Sequence, residues 1–111
     1  MSRLNTVLPA DASGETKTLY AQIQRQLGGV PNFMQVLGNS PAALAAFLGL
    51  NGNLSRGALD RKIRERIALS TAEANGCEYC VSAHTALGST AGLSDEEIAA
   101  AREVGSADAK A

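Results

Sequence analysis

The sequence predicts an all-α fold of about six helices, and three observations carry that expectation. Apolar residues recur at helical spacing between caps and breakers, and no stretch alternates with the two-residue period of a strand. The side chains are small: alanine is abundant, tryptophan is absent, and Tyr20, Phe33, Phe47 and Tyr79 are the only aromatics. Small side chains let helices pack closely.

Asp11 to Gly14 read as a turn and cap before a first helix through Leu19, Ile23 and Leu27, ended by Gly28 and Gly29. Val30 and Pro31 force an extended step, because the residue before a proline is pushed out of the helical region. Asn32 then caps a short helix with Phe33, Val36 and Leu37, which Gly38 and Asn39 stop. Ser40 at the cap and Pro41 at the first helical position open a third helix to about Leu50, since proline's missing amide hydrogen would have lacked a partner there. That helix is apolar nearly all round, so Leu44, Phe47, Leu48 and Leu50 cannot all face one neighbour, and it belongs at the centre or at a subunit interface. Asp60 caps a fourth helix to about Asn75, with Gly76 as its stop. Cys77 to Leu87 makes a fifth, ended by Gly88. Ser94 and Glu97 form a capping box opening a sixth, which ends in Gly105, Ser106 and Ala107, leaving Ser106 to Ala111 to fray.

With 111 residues and no linker or repeat, the whole chain, 1–111, reads as a single domain. A net charge of -1 with 19% charged residues excludes a disordered or strongly basic chain. Arg56, Arg61, Lys62, Arg64 and Arg66 scatter around the helical wheel rather than forming a stripe, so no nucleic-acid partner is expected. Pro41 to Leu50 is too short to cross a bilayer, which needs about 20 apolar residues. The amino terminus lacks the apolar block of a secretory signal, so a cytoplasmic, reducing setting is the expectation. A core this poor in large side chains stabilises a chain of this size modestly, which favours association of subunits.

The chemistry concentrates in Cys77, Cys80 and His84, at i, i+3 and i+7 of the fifth helix and hence on one face. Helix geometry puts the cysteine Cα atoms about 5 Å apart, within disulfide range. Side chains lean toward a helix's amino terminus, which tips His84 onto Cys80 rather than onto the more distant Cys77. A helix start and a nearby histidine both favour thiolate. The dipole alone favours Cys77, whereas a base within reach favours Cys80. Cys80 is therefore assigned as attacker and Cys77 as resolver.

Of two carboxylates on the fourth helix that could orient the imidazole, Glu73 falls beside Lys62 and Arg66. Glu65 falls between Ala72 and Leu69, opposite a stripe of Ile63, Ile67 and Ala74. Desolvation favours a protonated carboxyl, so a group in that apolar sector can hold or pass a proton. Glu65 is the choice, although a salt bridge to a basic neighbour would also explain it.

Glu65, the run Cys77-Glu78-Tyr79-Cys80 and His84 together resemble the active site of AhpD-like alkylhydroperoxidases in the carboxymuconolactone decarboxylase superfamily. The likeness covers roughly residues 30–104. It includes Val30-Pro31-Asn32, Ser40-Pro41, Arg64-Glu65-Arg66, Ala74-Asn75-Gly76 and Gly92-Leu93-Ser94. The resemblance implies an AhpD-like helical bundle in a homo-oligomer, trimer or hexamer, with a hydroperoxide attacked by Cys80, Cys77 resolving the sulfenic acid, and Glu65 and His84 managing protons. It implies no bound cofactor or metal and an external dithiol reductant protein, lipoyl-type or thioredoxin-type. The apolar helices suggest a hydrophobic pocket suited to organic hydroperoxides. Some founding members carry histidine where this chain has Tyr79. Members generally continue into further helices, so part of the usual core is expected to be absent or to come from a neighbouring subunit. Decarboxylases of the superfamily lack the paired cysteines, and their activity is not implied.

Other readings stand beside this one. Thiolates and imidazole also ligate zinc, though only three local ligands are present. A structural disulfide over so short a loop would stabilise little. The pair could instead switch the state of a nonenzymatic helical assembly or redox-sensing module. Val81 in place of histidine after the second cysteine excludes a c-type haem site.

Overall fold

The computed structural model describes residues 3–103, and the regular structure among them is helical. After a 3₁₀ turn, Pro9–Asp11, the helices are α1 (Gly14–Leu27), α2 (Asn32–Leu37), α3 (Pro41–Ser55), α4 (Arg61–Ala74), α5 (Glu78–Thr90) and α6 (Asp95–Arg102). The expected all-α class and the six helices are found. The residues form two compact units, one up to Asn53 and one from Leu54.

Several boundaries differ from expectation, each for a local reason. Pro31 is the cap of α2 and Asn32 its first residue. The third helix continues through Asn51, Gly52 and Asn53 to Ser55, so two glycines that weaken a helix do not end this one. Gly88 does not stop α5 but lies buried inside it, and the helix runs on to Thr90. The end of the sixth helix in Gly105, Ser106 and Ala107, and the fraying beyond it, lie outside the described residues.

In the first unit the core is Tyr20, Ile23, Met34 and Leu44, with Phe47 and Leu48 half-buried against it. Leu50 stays 60% exposed, so the apolar circumference of α3 is only partly used within the unit. The Tyr20 hydroxyl donates to the Val7 carbonyl at 2.8 Å, which ties the segment before α1 to the helix core. Burial raises the phenol's pKa and keeps that proton in place. Thr16 Oγ1 donates to the Gly38 carbonyl at 3.0 Å, so α1 closes over the end of α2. Gly38 is required there, because a Cβ would collide with the Tyr20 hydroxyl.

The second unit packs α4, α5 and α6 around Leu69, Leu93, Ile98 and Ala101. The buried face of α4 is Ile63, Arg66, Leu69 and Ala72, a strict three-residue step. The stripe of Ile63, Ile67 and Ala74 is split: Ile63 is buried, but Ile67 is 48% exposed and Ala74 is exposed. Arg66 takes the inward place, and its guanidinium donates to Glu97 at 3.0 Å. Glu97 also accepts the Ser94 amide at 2.8 Å, and Ser94 Oγ accepts the Glu97 amide, which completes the expected capping box of α6. One carboxylate thereby caps α6 and anchors it to α4.

The Ser94 amide, with smaller help from Arg66 and Lys62, holds the Glu97 carboxyl below the ordinary value of 4.5. A depressed carboxyl contributes stability that is complete above that ordinary value and disappears as the pH falls through the lower folded-state value. Urea unfolding of wild type and Glu97→Gln is expected to show a lower midpoint for the variant at pH 7. The difference should close as the pH is taken well below 4.5; a gap independent of pH would contradict the assignment.

Candidate active site

The site begins with the way α4 ends. Gly76 adopts φ +65, a left-handed conformation that glycine reaches without a Cβ penalty. The Gly76 amide donates to the Glu73 carbonyl at 3.1 Å and the Cys77 amide to the Ala72 carbonyl at 3.0 Å, the paired bonds of a Schellman turn. Cys77 is also the cap of α5, with extended backbone, and its Sγ accepts the Cys80 amide at 3.4 Å. The expectation that Cys77 is the first residue of the fifth helix is corrected by one position. Its extended backbone, φ -86 and ψ 92, makes it the cap rather than the first helical residue.

Cys77 and Cys80 are joined as a disulfide, with Cα atoms 5.3 Å apart, close to the separation expected from helical spacing. Both residues are half-buried, while Glu78 and Tyr79 between them are exposed, Tyr79 by 60%.

His84, one turn after Cys80, meets Glu65 from α4: the Nδ1 to Oε2 distance is 2.8 Å. The carboxylate is 15% exposed and the imidazole 33%, so the pair sits at the edge of water. An ionised carboxylate only accepts, so with Glu65 ionised and His84 neutral the ring hydrogen lies on Nδ1 and Nε2 is the basic nitrogen. The partner of Glu65 is thus the imidazole, not a surface arginine.

The other carboxylate, Glu73, is 41% exposed and accepts from Arg102 Nε at 2.8 Å. Its expected neighbour Arg66 is engaged by Glu97 instead. The ion pair with Glu73 raises the Arg102 pKa and ties the last turn of α6 to the end of α4. Arg102, distant in sequence, carried no local signal for this contact. The positive φ and shared cap at Gly76 and Cys77 were legible only in part, through the Asn75-Gly76 stop.

A groove of about 550 Å³ lies beside the start of α5, lined by Glu73, Gly76, Glu78, Val81, Ser82, Thr85 and Arg102. None of Glu65, Cys77, Cys80 or His84 lines it, and its walls mix charged and apolar groups. Among the described residues, no three His, Cys, Asp or Glu side chains are grouped to hold a metal ion. No helix among them is long and apolar enough to cross a membrane.

The model of the carboxymuconolactone decarboxylase family matches residues 41–111. An alkyl hydroperoxide reductase, Rv2159c, of Mycobacterium tuberculosis is 31% identical over 100 residues, 89% of this chain. The chain spans 29% of the length of that relative. The crystal structure of an alkylhydroperoxidase AhpD core from Rhodospirillum rubrum superposes with a TM-score of 0.80 at 28% identity, covering 94% of this chain and 81% of that one.

Two outcomes follow from the geometry. Gly76→Ala has no steric neighbour within 4 Å, so its cost is backbone strain alone, about 1–2 kcal/mol by chemical denaturation. In ¹⁵N-detected NMR at neutral pH, neutral His84 should be the Nδ1–H tautomer, and Glu65→Ala should abolish that preference. An unchanged tautomer ratio in the variant would show that Glu65 does not set it.

Proposed function

From the premise that this chain belongs to the carboxymuconolactone decarboxylase family, as an AhpD-like member, we propose that it is a thiol-dependent alkylhydroperoxidase. The observation that carries the reading is the disulfide-forming Cys77 and Cys80 pair one turn ahead of a histidine held by Glu65.

In the proposed cycle the Cys80 thiolate attacks the terminal oxygen of a hydroperoxide. The O–O bond breaks, the alcohol leaves with a proton, and Cys80 becomes a sulfenic acid. The Cys77 thiolate then attacks Cys80 Sγ, the S–O bond breaks, and hydroxide departs as water with a proton from His84. The resulting disulfide is the form seen in the structure. An external dithiol, lipoyl-type or thioredoxin-type, returns both sulfurs to thiols. Overall, hydroperoxide and dithiol give alcohol, water and disulfide.

Glu65 acts through His84, by fixing the ring so that Nε2 exchanges the proton. The similarity to an alkyl hydroperoxide reductase of M. tuberculosis supports an organic hydroperoxide as substrate. The proposed protein is a cytoplasmic homo-oligomer, trimer or hexamer.

Steady-state assays that couple hydroperoxide loss to dithiol consumption test it. Cys80→Ser should abolish turnover. Cys77→Ser should stop after one turnover with a sulfenic acid trapped by a dimedone-type reagent. Glu65→Gln should slow turnover by on the order of 10²-fold, the lower end of what acid–base groups supply. Undiminished turnover in Cys80→Ser would sink the mechanism. A fully inactive wild type whose disulfide nevertheless opens and closes would favour a redox-sensing assembly.

A further inference from the structure

The two sulfurs of the disulfide occupy different electrostatic positions, and this decides which of them an incoming reductant attacks. Resting on the peroxidase reading, we propose that the donor thiolate attacks Cys80 Sγ and that Cys77 is the leaving thiolate.

Thiol–disulfide exchange is governed by the attacking thiolate, by access to each sulfur, and by how well the departing sulfur carries negative charge. Both residues fall in the same half-buried range, so burial of the residues does not choose between them. Charge does. Cys77 Sγ is the cap of a helix of 13 residues and already accepts the Cys80 amide at 3.4 Å. Negative charge released there falls on an amide hydrogen and on the positive end of α5. Its backbone is held by the Ala72 carbonyl, so the sulfur stays at the cap after the bond breaks. Cys80 lies within the first turn and has no such amide directed at its sulfur among the described residues. Its departure as a thiol calls on a proton from His84, whose ring is bound to Glu65. Glu78, the acidic residue of that first turn, is exposed and stands between the two cysteines, so it disfavours charge on either without choosing.

The step balances. The donor sulfur forms a bond to Cys80 Sγ as the Cys77–Cys80 bond breaks, and Cys77 leaves as thiolate. The second donor thiol, once ionised, attacks the donor sulfur of the mixed disulfide and releases Cys80, which takes a proton through His84. The donor is oxidised by two electrons and the protein reduced by two. Cys80 Sγ is then the electrophile in both halves of the cycle, attacked first by Cys77 as a sulfenic acid and later by the donor, while Cys77 alternates between nucleophile and leaving group.

The test uses the oxidised wild-type chain and glutathione as a monothiol probe, without peroxide. Samples taken at early times are quenched in acidic N-ethylmaleimide, which blocks the freed thiol. Tandem mass spectrometry then locates the glutathione adduct and the maleimide on the peptide carrying both cysteines. The proposal expects the adduct on Cys80 and the maleimide on Cys77 in at least tenfold excess when extrapolated to zero time. Adduct on Cys77, or an equal mixture, overturns it. A second measurement follows thiolate absorbance near 240 nm in each single-cysteine variant: Cys77, in Cys80→Ser, should ionise at lower pH than Cys80 in Cys77→Ser. The reverse order overturns the proposed cause. Neither readout involves a hydroperoxide, so failure of the peroxidase reading and failure of this one are seen separately.

Discussion

The turn between α4 and α5 constrains everything else at this site. Cys77 closes one helix with its amide and opens the next with its sulfur, and Gly76 makes both possible by entering the left-handed region. With no spare residue between the helices, the position of one cysteine is set by backbone hydrogen bonds rather than by side-chain packing. The second cysteine follows one turn on, and the histidine one turn after that. Two sulfurs and an imidazole are thus placed by one short stretch of main chain.

The fourth group comes from elsewhere in the unit. Glu65 reaches His84 only because α4 and α5 pack through Leu69, and because α6 is fastened to α4 by Arg66 and Glu97 near one end and by Glu73 and Arg102 near the other. Those two ion pairs differ in surroundings. The first holds a buried arginine whose charge needs a partner. The second is on the surface, where an ion pair contributes little on its own. A half-exposed imidazole beside a more buried carboxylate suits proton exchange with water.

Much of this was legible in the sequence because it is local. Caps, prolines and glycines mark helix ends through backbone geometry, and the Ser94 and Glu97 box formed as written. The i, i+3, i+7 spacing located the sulfurs and the imidazole on one stretch of helix, and the apolar flanks of Glu65 set it apart from Glu73. What failed was non-local. The helical wheel grouped Ile67 with Ile63 and put Arg66 beside Glu73, since hydropathy alone cannot know that Glu97 waits to pair with a buried guanidinium. Gly88 looked like a helix stop because a glycine that ends a helix and one that admits a neighbour are identical in one dimension.

Gly88 lies one turn beyond His84, and a Cβ there would stand 3.1 Å from Leu93 Cδ1 and 3.8 Å from both Ile98 and Leu69. Since interiors are packed too tightly to absorb added volume freely, a single methyl at this position would push on the stretch of α5 that carries the imidazole. A hydrogen bond of 2.8 Å tolerates little such drift. The geometry of the His84 and Glu65 pair is therefore vulnerable at a distance: bulk introduced in the core, touching neither sulfur nor carboxylate, would be felt as a displaced imidazole.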